Sequence, residues 1–535
     1  MTRMYETAAQ RAAGALTRAW GQVGAVAVAA LLATSTPAVA APGDTRLVTR
    51  DPASGQAFGG MFDYAAPSTQ HAVSSWGRFV LVMARGEAGV GGHTSPGWGL
   101  ILHDRASKTW EKVDLATDGQ PAGFTNWSGL ISPNARFVAW QTNSHRVVPG
   151  MNPGMDWVAV LRDRRTGVTE LLSVDRTGTH ARRGRPLGVS NDGRHALFSS
   201  DATDLADAPV AATGDTQLYL RDRAARTTRW LSGCADAAAL SADGRYLAYS
   251  DCSRLVLREL ASGLEQVVDS GAAGYADAYL SGDGRWLVYS RGAGDYHVQP
   301  DPRRLYLYDR TRGARELVGV DANGQPPDRD ATDGVVTDDG RYVSFHSFSR
   351  GVVVDGYEGG VFLRDRAAGT TRRASVDSHG GGTTCCAFGA VSADGRFVFF
   401  EAADPLVRAD RNREYDLYVH EVGAEPRTPE FTFAVNPSAL DFGDQALGAK
   451  TSKKFWIRNT GRSGLPIVGT RIVGTDHASF SRSHGCYYLY PGESCAVRIT
   501  LNAFAPGPKQ AALEVVGGID ARQLRPVTAN VMPPQ

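Results

Sequence analysis

One short phrase recurs along the chain and limits what it can fold into. It reads Ser74-Ser75-Trp76-Gly77-Arg78, then Ser132-Pro133-Asn134-Ala135-Arg136, then Ser190-Asn191-Asp192-Gly193-Arg194. It returns as Ser241-Ala242-Asp243-Gly244-Arg245, Ser281-Gly282-Asp283-Gly284-Arg285, Thr337-Asp338-Asp339-Gly340-Arg341 and Ser392-Ala393-Asp394-Gly395-Arg396. The glycine position steps by 58, 58, 51, 40, 56 and 55 residues. Self-similarity at such periods marks a solenoid or propeller, in which one supersecondary unit is stacked on copies of itself. A chain of 535 residues exceeds the size at which a single core stops growing, and a repeat array accommodates the greater part of it.

Each unit reads as strands. Asp-Gly between two apolar runs predicts a two-residue hairpin, because such turns require φ > 0. An alternating run follows, as in Tyr246-Leu247-Ala248-Tyr249 or Phe397-Val398-Phe399-Phe400. After a variable loop comes a third run, such as Leu100 to Arg105, Leu218 to Arg223 or Leu305 to Arg310, and then a fourth, such as Thr169 to Val174. Four antiparallel strands per unit make a propeller blade. The seventh unit lacks a fourth strand after Val422, whereas Thr45 to Asp51 matches the fourth strand Thr371 to Asp377 of the sixth. The first strand of the mature chain is therefore expected to complete the last blade and remove a free sheet edge. The expected fold is all-β: a seven-bladed β-propeller over residues 41–425 closed by an N-terminal strand, followed by an immunoglobulin-like β-sandwich over residues 426–535.

The Ser-x-Asp-Gly-Arg unit resembles the repeats of TolB-type propellers over roughly residues 45–425. That family includes a periplasmic partner protein of a cell-envelope complex. The chain has no counterpart of that protein's separate N-terminal domain, so the role is not carried over. After a linker marked by Pro426, Pro429 and Pro437, three segments resemble the bacterial choice-of-anchor D domain, which is related in form to ASH and major-sperm-protein sandwiches. They are Asn436 to Gly443, Ile457 to Gly461 and Tyr490 to Cys495. The resemblance implies a seven-stranded sandwich of the kind that serves exported proteins as an adhesion, spacing or anchoring module.

The N-terminus reads as an export signal over residues 1–40. Arg3, Arg11 and Arg18 form a positive region, Val23 to Leu32 an apolar one, and Ala38-Val39-Ala40 supplies small residues for cleavage. The apolar run is about half of the ~20 residues a membrane span needs, so no stable transmembrane anchor is expected after cleavage. The expected location is periplasmic or secreted. Six cysteines fit an oxidising compartment. Cys486 is expected to pair with Cys495 and Cys234 with Cys252. The adjacent Cys385 and Cys386 read as a vicinal disulfide, as two thiols or as small buried apolar groups. With a net charge of +1 and no basic run longer than two residues, no nucleic-acid partner is expected.

No Gly-x-Ser-x-Gly, His-Glu-x-x-His or phosphate-loop motif occurs. The tight connections fall on one face of a propeller and the long, variable ones on the other, so the second face is expected to carry any site. Seven residues before each repeat glycine stand Gln70, Ser128, Pro186, Ala237, Asp277, Asp333 and Phe388, where the innermost strands enter. Asp277 and Asp333 come from neighbouring units, with Asp236 and Asp330 near the same level. Carboxylates gathered at a channel mouth would attract a cation or share a raised pKa; solvated charges or hydrogen bonds to amides are the alternative. His71, close to an inner strand, reads as packing. In the last long loop, Asp410, Asn412 and Asp416 offer oxygen ligands at calcium-like spacing, or cap their own turns. Otherwise no cofactor is expected. These observations favour a non-catalytic protein binding a protein or glycan. The alternative is a carbohydrate-active hydrolase or lyase that uses the channel-mouth carboxylates.

Overall fold

The computed structural model describes residues 43–534 except several short segments, chiefly 62–68, 86–97, 122–125, 148–156, 208–215, 293–301 and 424–430. The leader at residues 1–40 lies outside the described residues. So does Asp236, together with Cys385 and much of the long connections. Among the described residues the chain is all-β, with short 3-10 turns and no α-helix.

Seven four-stranded antiparallel sheets follow one another along residues 45–421, giving a propeller-like array. The first consists of β2 (Gly60–Met61), β3 (Phe79–Arg85), β4 (Trp98–Asp104) and β5 (Thr109–Lys112). The last joins β26 (Cys386–Val391), β27 (Phe397–Ala402) and β28 (Asp416–Glu421) to β1 (Thr45–Leu47). Thr45, Arg46 and Leu47 pair with His420, Val419 and Tyr418, so the N-terminal strand supplies the outer strand of the last sheet. Middle strands such as Phe137–Thr142 and Val158–Asp163 are buried on both faces because sheets stack on both sides of them.

The recurring phrase explains that stacking. In the third unit the Ser190 hydroxyl donates to Asp192 Oδ1 at 2.6 Å, and that oxygen accepts the Arg194 N–H at 2.9 Å. Gly193 N–H donates to the Ser190 carbonyl, and Ser190 to His195 close the loop. The connection therefore has four residues, with only its glycine at positive φ (70°). It corrects the expected two-residue hairpin: the Asp side chain caps the turn and leaves its own backbone in the ordinary region. The Arg then reaches the Asp at the end of the third strand, as in Arg194–Asp222 and Arg341–Asp365.

Neighbouring sheets are fastened through the same residues. A Cβ on Gly340 would lie 2.2 Å from Trp286 of the preceding sheet, and one on Gly284 would lie 2.5 Å from Tyr246. Arg366 lies over the Trp286 ring and donates to the Gly340 carbonyl. Turn-to-turn hydrogen bonds link Ser75 to Pro133, Asn134 to Asn191, Asn191 to Ala242 and Asp243 to Gly282. They continue from Gly282 to Asp338, from Asp338 to Ala393, and from Ala393 back to Ser75 at 2.6 Å.

The first sheet departs from expectation. Its inner strand is the two-residue β2, and Thr69–Ala72 forms a 3-10 turn, joined to β3 through the Val73–Val80 bridge. Gln70 and His71 thus sit on a turn instead of an inner strand.

After residue 430 the chain makes an immunoglobulin-like sandwich. One sheet holds β29 (Phe433–Asn436), β31 (Lys450–Asn459), β35 (Ser494–Asn502) and β33 (Phe480–His484). The other holds β30 (Leu440–Ala446), β37 (Ala521–Met532), β36 (Gly507–Gly517), β32 (Leu465–Val473) and β34 (Tyr488–Leu489). The described strands number nine, against the seven expected, because β30 and the short β34 are added along the second sheet. Phe455, Ile457, Val497, Ile499, Leu513 and Val515 fill the space between the sheets. Both expected disulfides are present, Cys234–Cys252 and Cys486–Cys495. Tyr357, in the connection Ser347–Gly360, donates its hydroxyl to the Gly464 carbonyl at 2.9 Å and packs against Phe431. This contact ties the sixth sheet to the sandwich.

Candidate functional site

The inner strands share an irregularity. Register shifts fall between Trp127 and Leu130, Pro186 and Gly188, Tyr275 and Ala278, Thr332 and Val335, and Ala387 and Gly389. Ser128, Asp277, Asp333 and Phe388, positions seven residues before the repeat glycine, lie within these bulges, and Pro186 borders its own. A bulge re-aims a side chain away from the regular pleat. Ser128 and Asp333 pay for this with positive φ values of 53° and 54°, a conformation that costs non-glycine residues about 1–3 kcal/mol.

The structure brings Asp277 and Asp333 together. Asp277 Oδ2 accepts the Ser290 hydroxyl at 2.8 Å and, at 3.4 Å, the backbone N–H of Asp333. Asp333 Oδ2 accepts the Thr332 hydroxyl at 2.9 Å. Burial holds both carboxyls above the ordinary carboxylate range, and for Asp333 the neighbouring Asp277 charge adds to it. Two such groups titrate as a coupled pair, ionisation of one opposing ionisation of the other. Arg303 faces both carboxyls and favours their charged forms, while Asp330 opposes ionisation of Asp277. Asp330 Oδ1 also accepts the Arg303 backbone N–H at 2.8 Å. Arg303 was not singled out in the sequence; its one signal is its place where the long connection 292–304 re-enters the sheet.

Ser128 is fully buried in the second sheet. The backbone of Gln70 lies in the 3-10 turn. His71 is buried among Val189, Leu240 and Tyr279, side chains from three other sheets. Desolvation alone pushes its pKa down to about 4. It is a neutral ring at physiological pH, enclosed by these side chains.

The last long loop is drawn inward. Asp410 accepts the Tyr418 hydroxyl on one oxygen and the Asn412 N–H on the other at 3.3 Å. Asp416, fully buried, accepts the Thr49 hydroxyl on Oδ1, and its Oδ2 has no hydrogen-bond partner. Burial pushes Asp416 up to about 7, and the Asp410 charge contributes. The loop oxygens thus accept hydrogen bonds from Asn412 within the loop, from Tyr418 of β28 and from Thr49 near the N-terminus. Among the described residues no cluster of three or more His, Cys, Asp or Glu side chains is placed to hold a metal ion.

A separate cleft of about 420 Å³ opens on the tight-turn side, lined by Asp192, His195, Asp222, Arg229 and Arg245. The repeat carboxylates in it are engaged in the turn hydrogen bonds and ion pairs described above.

A family model described as a HYDIN/CFA65/VesB-like Ig-like domain matches residues 432–516. No curated protein matches the chain. Among solved structures, the chain is similar to an oligogalacturonate lyase in complex with manganese, with 13% identity over 71% of this chain and 96% of that one and a TM-score of 0.44. It is also similar to TolB from Acinetobacter baumannii, with 14% identity over 66% and 83% and a TM-score of 0.31. A further similarity is to Kuenenia stuttgartiensis hydrazine synthase, with 11% identity over 65% and 95% and a TM-score of 0.36.

Proposed function

We propose that this chain is an exported, non-catalytic binding protein. In this reading residues 41–425 form a seven-bladed propeller closed by β1, and residues 426–535 form an immunoglobulin-like module of choice-of-anchor D type that spaces or tethers it. The long-loop face takes a protein or glycan of the cell envelope or extracellular space. The observation that carries the reading is the Asp277–Asp333 pair: two half-buried carboxyls from adjacent sheets, both in bulged segments, with Asp333 on left-handed backbone. Such an arrangement costs stability and is characteristic of functional sites. Export is supported by the leader-like residues 1–40 and by two disulfides, which persist in oxidising compartments.

A second reading rests on the same pair. Two carboxyls that ionise in separate steps can supply an acid and a base, as in carbohydrate hydrolases or lyases. The test is affinity capture from envelope and culture-supernatant extracts with residues 41–535 as bait and Asp277→Asn/Asp333→Asn as control. The binding reading predicts a specific protein or glycan that the double variant loses. Identical capture by both baits would overturn the channel-mouth site. Depolymerisation of a captured glycan by the wild type alone would move the assignment to the enzyme.

A further inference from the structure

The outward face of the sandwich sheet β29-β31-β35-β33 carries a concentration of positive charge that no ion pair among the described residues neutralises. Its four strands contain no Asp or Glu. In β31 the side chains of Phe455 and Ile457 point into the core, so Lys454, Trp456 and Arg458 share the opposite, exposed face. Cross-strand register places Arg498 of β35 directly opposite Lys454. Like charges so placed destabilise a sheet, and no carboxylate among the described residues bridges them. A repulsive pair retained on an acid-free face is what a surface for a polyanion requires.

The centre of this face decides the kind of polyanion. Trp456 is 49% exposed. Its register neighbours are Ala496 on one side and Asn436 on the other, both too small to cover the ring. Beside the cations runs a line of hydroxyls, with Ser452 and Thr500 hydrogen-bonded to each other at 2.8 Å and Ser481 and Ser483 beyond them on β33. A bare indole flanked by cations and hydroxyls suits a sugar ring bearing an acidic substituent. The C–H face of the sugar packs on the indole, its hydroxyls meet Ser and Thr, and its carboxylate meets Lys454, Arg458 and Arg498. A lipid surface would call for several apolar anchors, and this face offers one aromatic ring.

We infer that the outer face of this sheet, centred on Trp456, is a binding surface for acidic polysaccharide. It is separate from the channel mouth and independent of the reading given above. The test is affinity electrophoresis of residues 41–535 through gels containing polygalacturonate, with neutral dextran and phosphatidylglycerol vesicles as the other arms. The expected result is retardation by polygalacturonate, none by dextran, and release in high salt. Lys454→Gln/Arg498→Gln and Trp456→Ala should each weaken retardation by about tenfold, an effect of the size of a lost central contact. Lys509→Gln, on the other sheet, should leave it unchanged. Removing the like-charge pair should not lower the thermal midpoint, so loss of binding is separable from loss of fold. Asp277→Asn/Asp333→Asn should bind polygalacturonate as the wild type does. The inference is overturned if the Lys454/Arg498 or Trp456 variants are retarded undiminished, if the channel-mouth variant loses retardation, or if vesicles retain the protein more strongly than the polymer.

Discussion

At the scale of the residue, the decisive feature is the cost of burying carboxyls without a cation in contact. Asp416 shows it most simply. Its folded pKa lies near 7, above the ordinary carboxylate value, so the folded state holds a proton that the unfolded state has lost. The stability Asp416 contributes is therefore full at acid pH and falls as pH rises from about 4 to 7, by linkage. Asp416→Asn keeps an oxygen to accept the Thr49 hydroxyl and removes the titration. Its denaturant midpoint should vary less between pH 5 and pH 8 than that of the wild type, with a gain on the order of 1–3 kcal/mol at pH 8; an unchanged pH slope would show that Asp416 titrates normally. The spacing Asp410-x-Asn412-x-x-x-Asp416 revealed that these oxygens converge. It could not reveal that Tyr418 and Thr49 occupy them, because Thr49 arrives from the other end of the chain.

At the scale of the element, the repeat phrase makes a turn and a joint at once. Its turn chemistry was legible: Ser, Asp and Gly recur because each fills one hydrogen-bonding or conformational role. Its joint was not, since the partner of Gly340 is Trp286, a full unit away in sequence. Two glycines separate the effects. Gly369 has φ 68° and open space around its Cβ position, so Gly369→Ala bears only the left-handed strain, about 1–2 kcal/mol. Gly340 has φ 74° and the Trp286 ring 2.2 Å from its Cβ position. Gly340→Ala should cost at least about 2 kcal/mol more by overpacking, measured as a shift in urea midpoint. Equal costs would mean that the turn does not press on the neighbouring sheet. The inner-strand bulges were partly legible. Counting back from the glycine located Asp277 and Asp333, but the same count misplaced Gln70, because the inner strand of the first sheet is the earlier Gly60–Met61 and a 3-10 turn occupies Thr69–Ala72.

For the whole molecule, the two ends of the array meet in the last sheet. Likeness between Thr45–Asp51 and Thr371–Asp377 sufficed to foresee that β1 pairs with β28. The tie from Tyr357 to Gly464 had no sequence signal, since an isolated tyrosine in a variable loop does not announce its acceptor. Starting the chain at residue 52 instead of 41 would remove β1 and leave β28 with an open edge. Such a protein should unfold at lower temperature and associate through that edge, visible as concentration-dependent species in sedimentation; a monomer of unchanged stability would mean the ring does not depend on its N-terminal strand. Reducing Cys234–Cys252, which closes 18 residues, should cost about 3 kcal/mol without changing the sheet content seen by circular dichroism.

The central claim is that the ring exists to present the Asp277–Asp333 pair to a ligand. The most direct measurement is the equilibrium affinity of residues 41–535 for the ligand recovered by capture, compared with Asp277→Asn/Asp333→Asn at matched thermal stability. The account predicts at least about a tenfold loss in the double variant. Equal affinity in the two proteins would contradict it and leave the pair as buried framework.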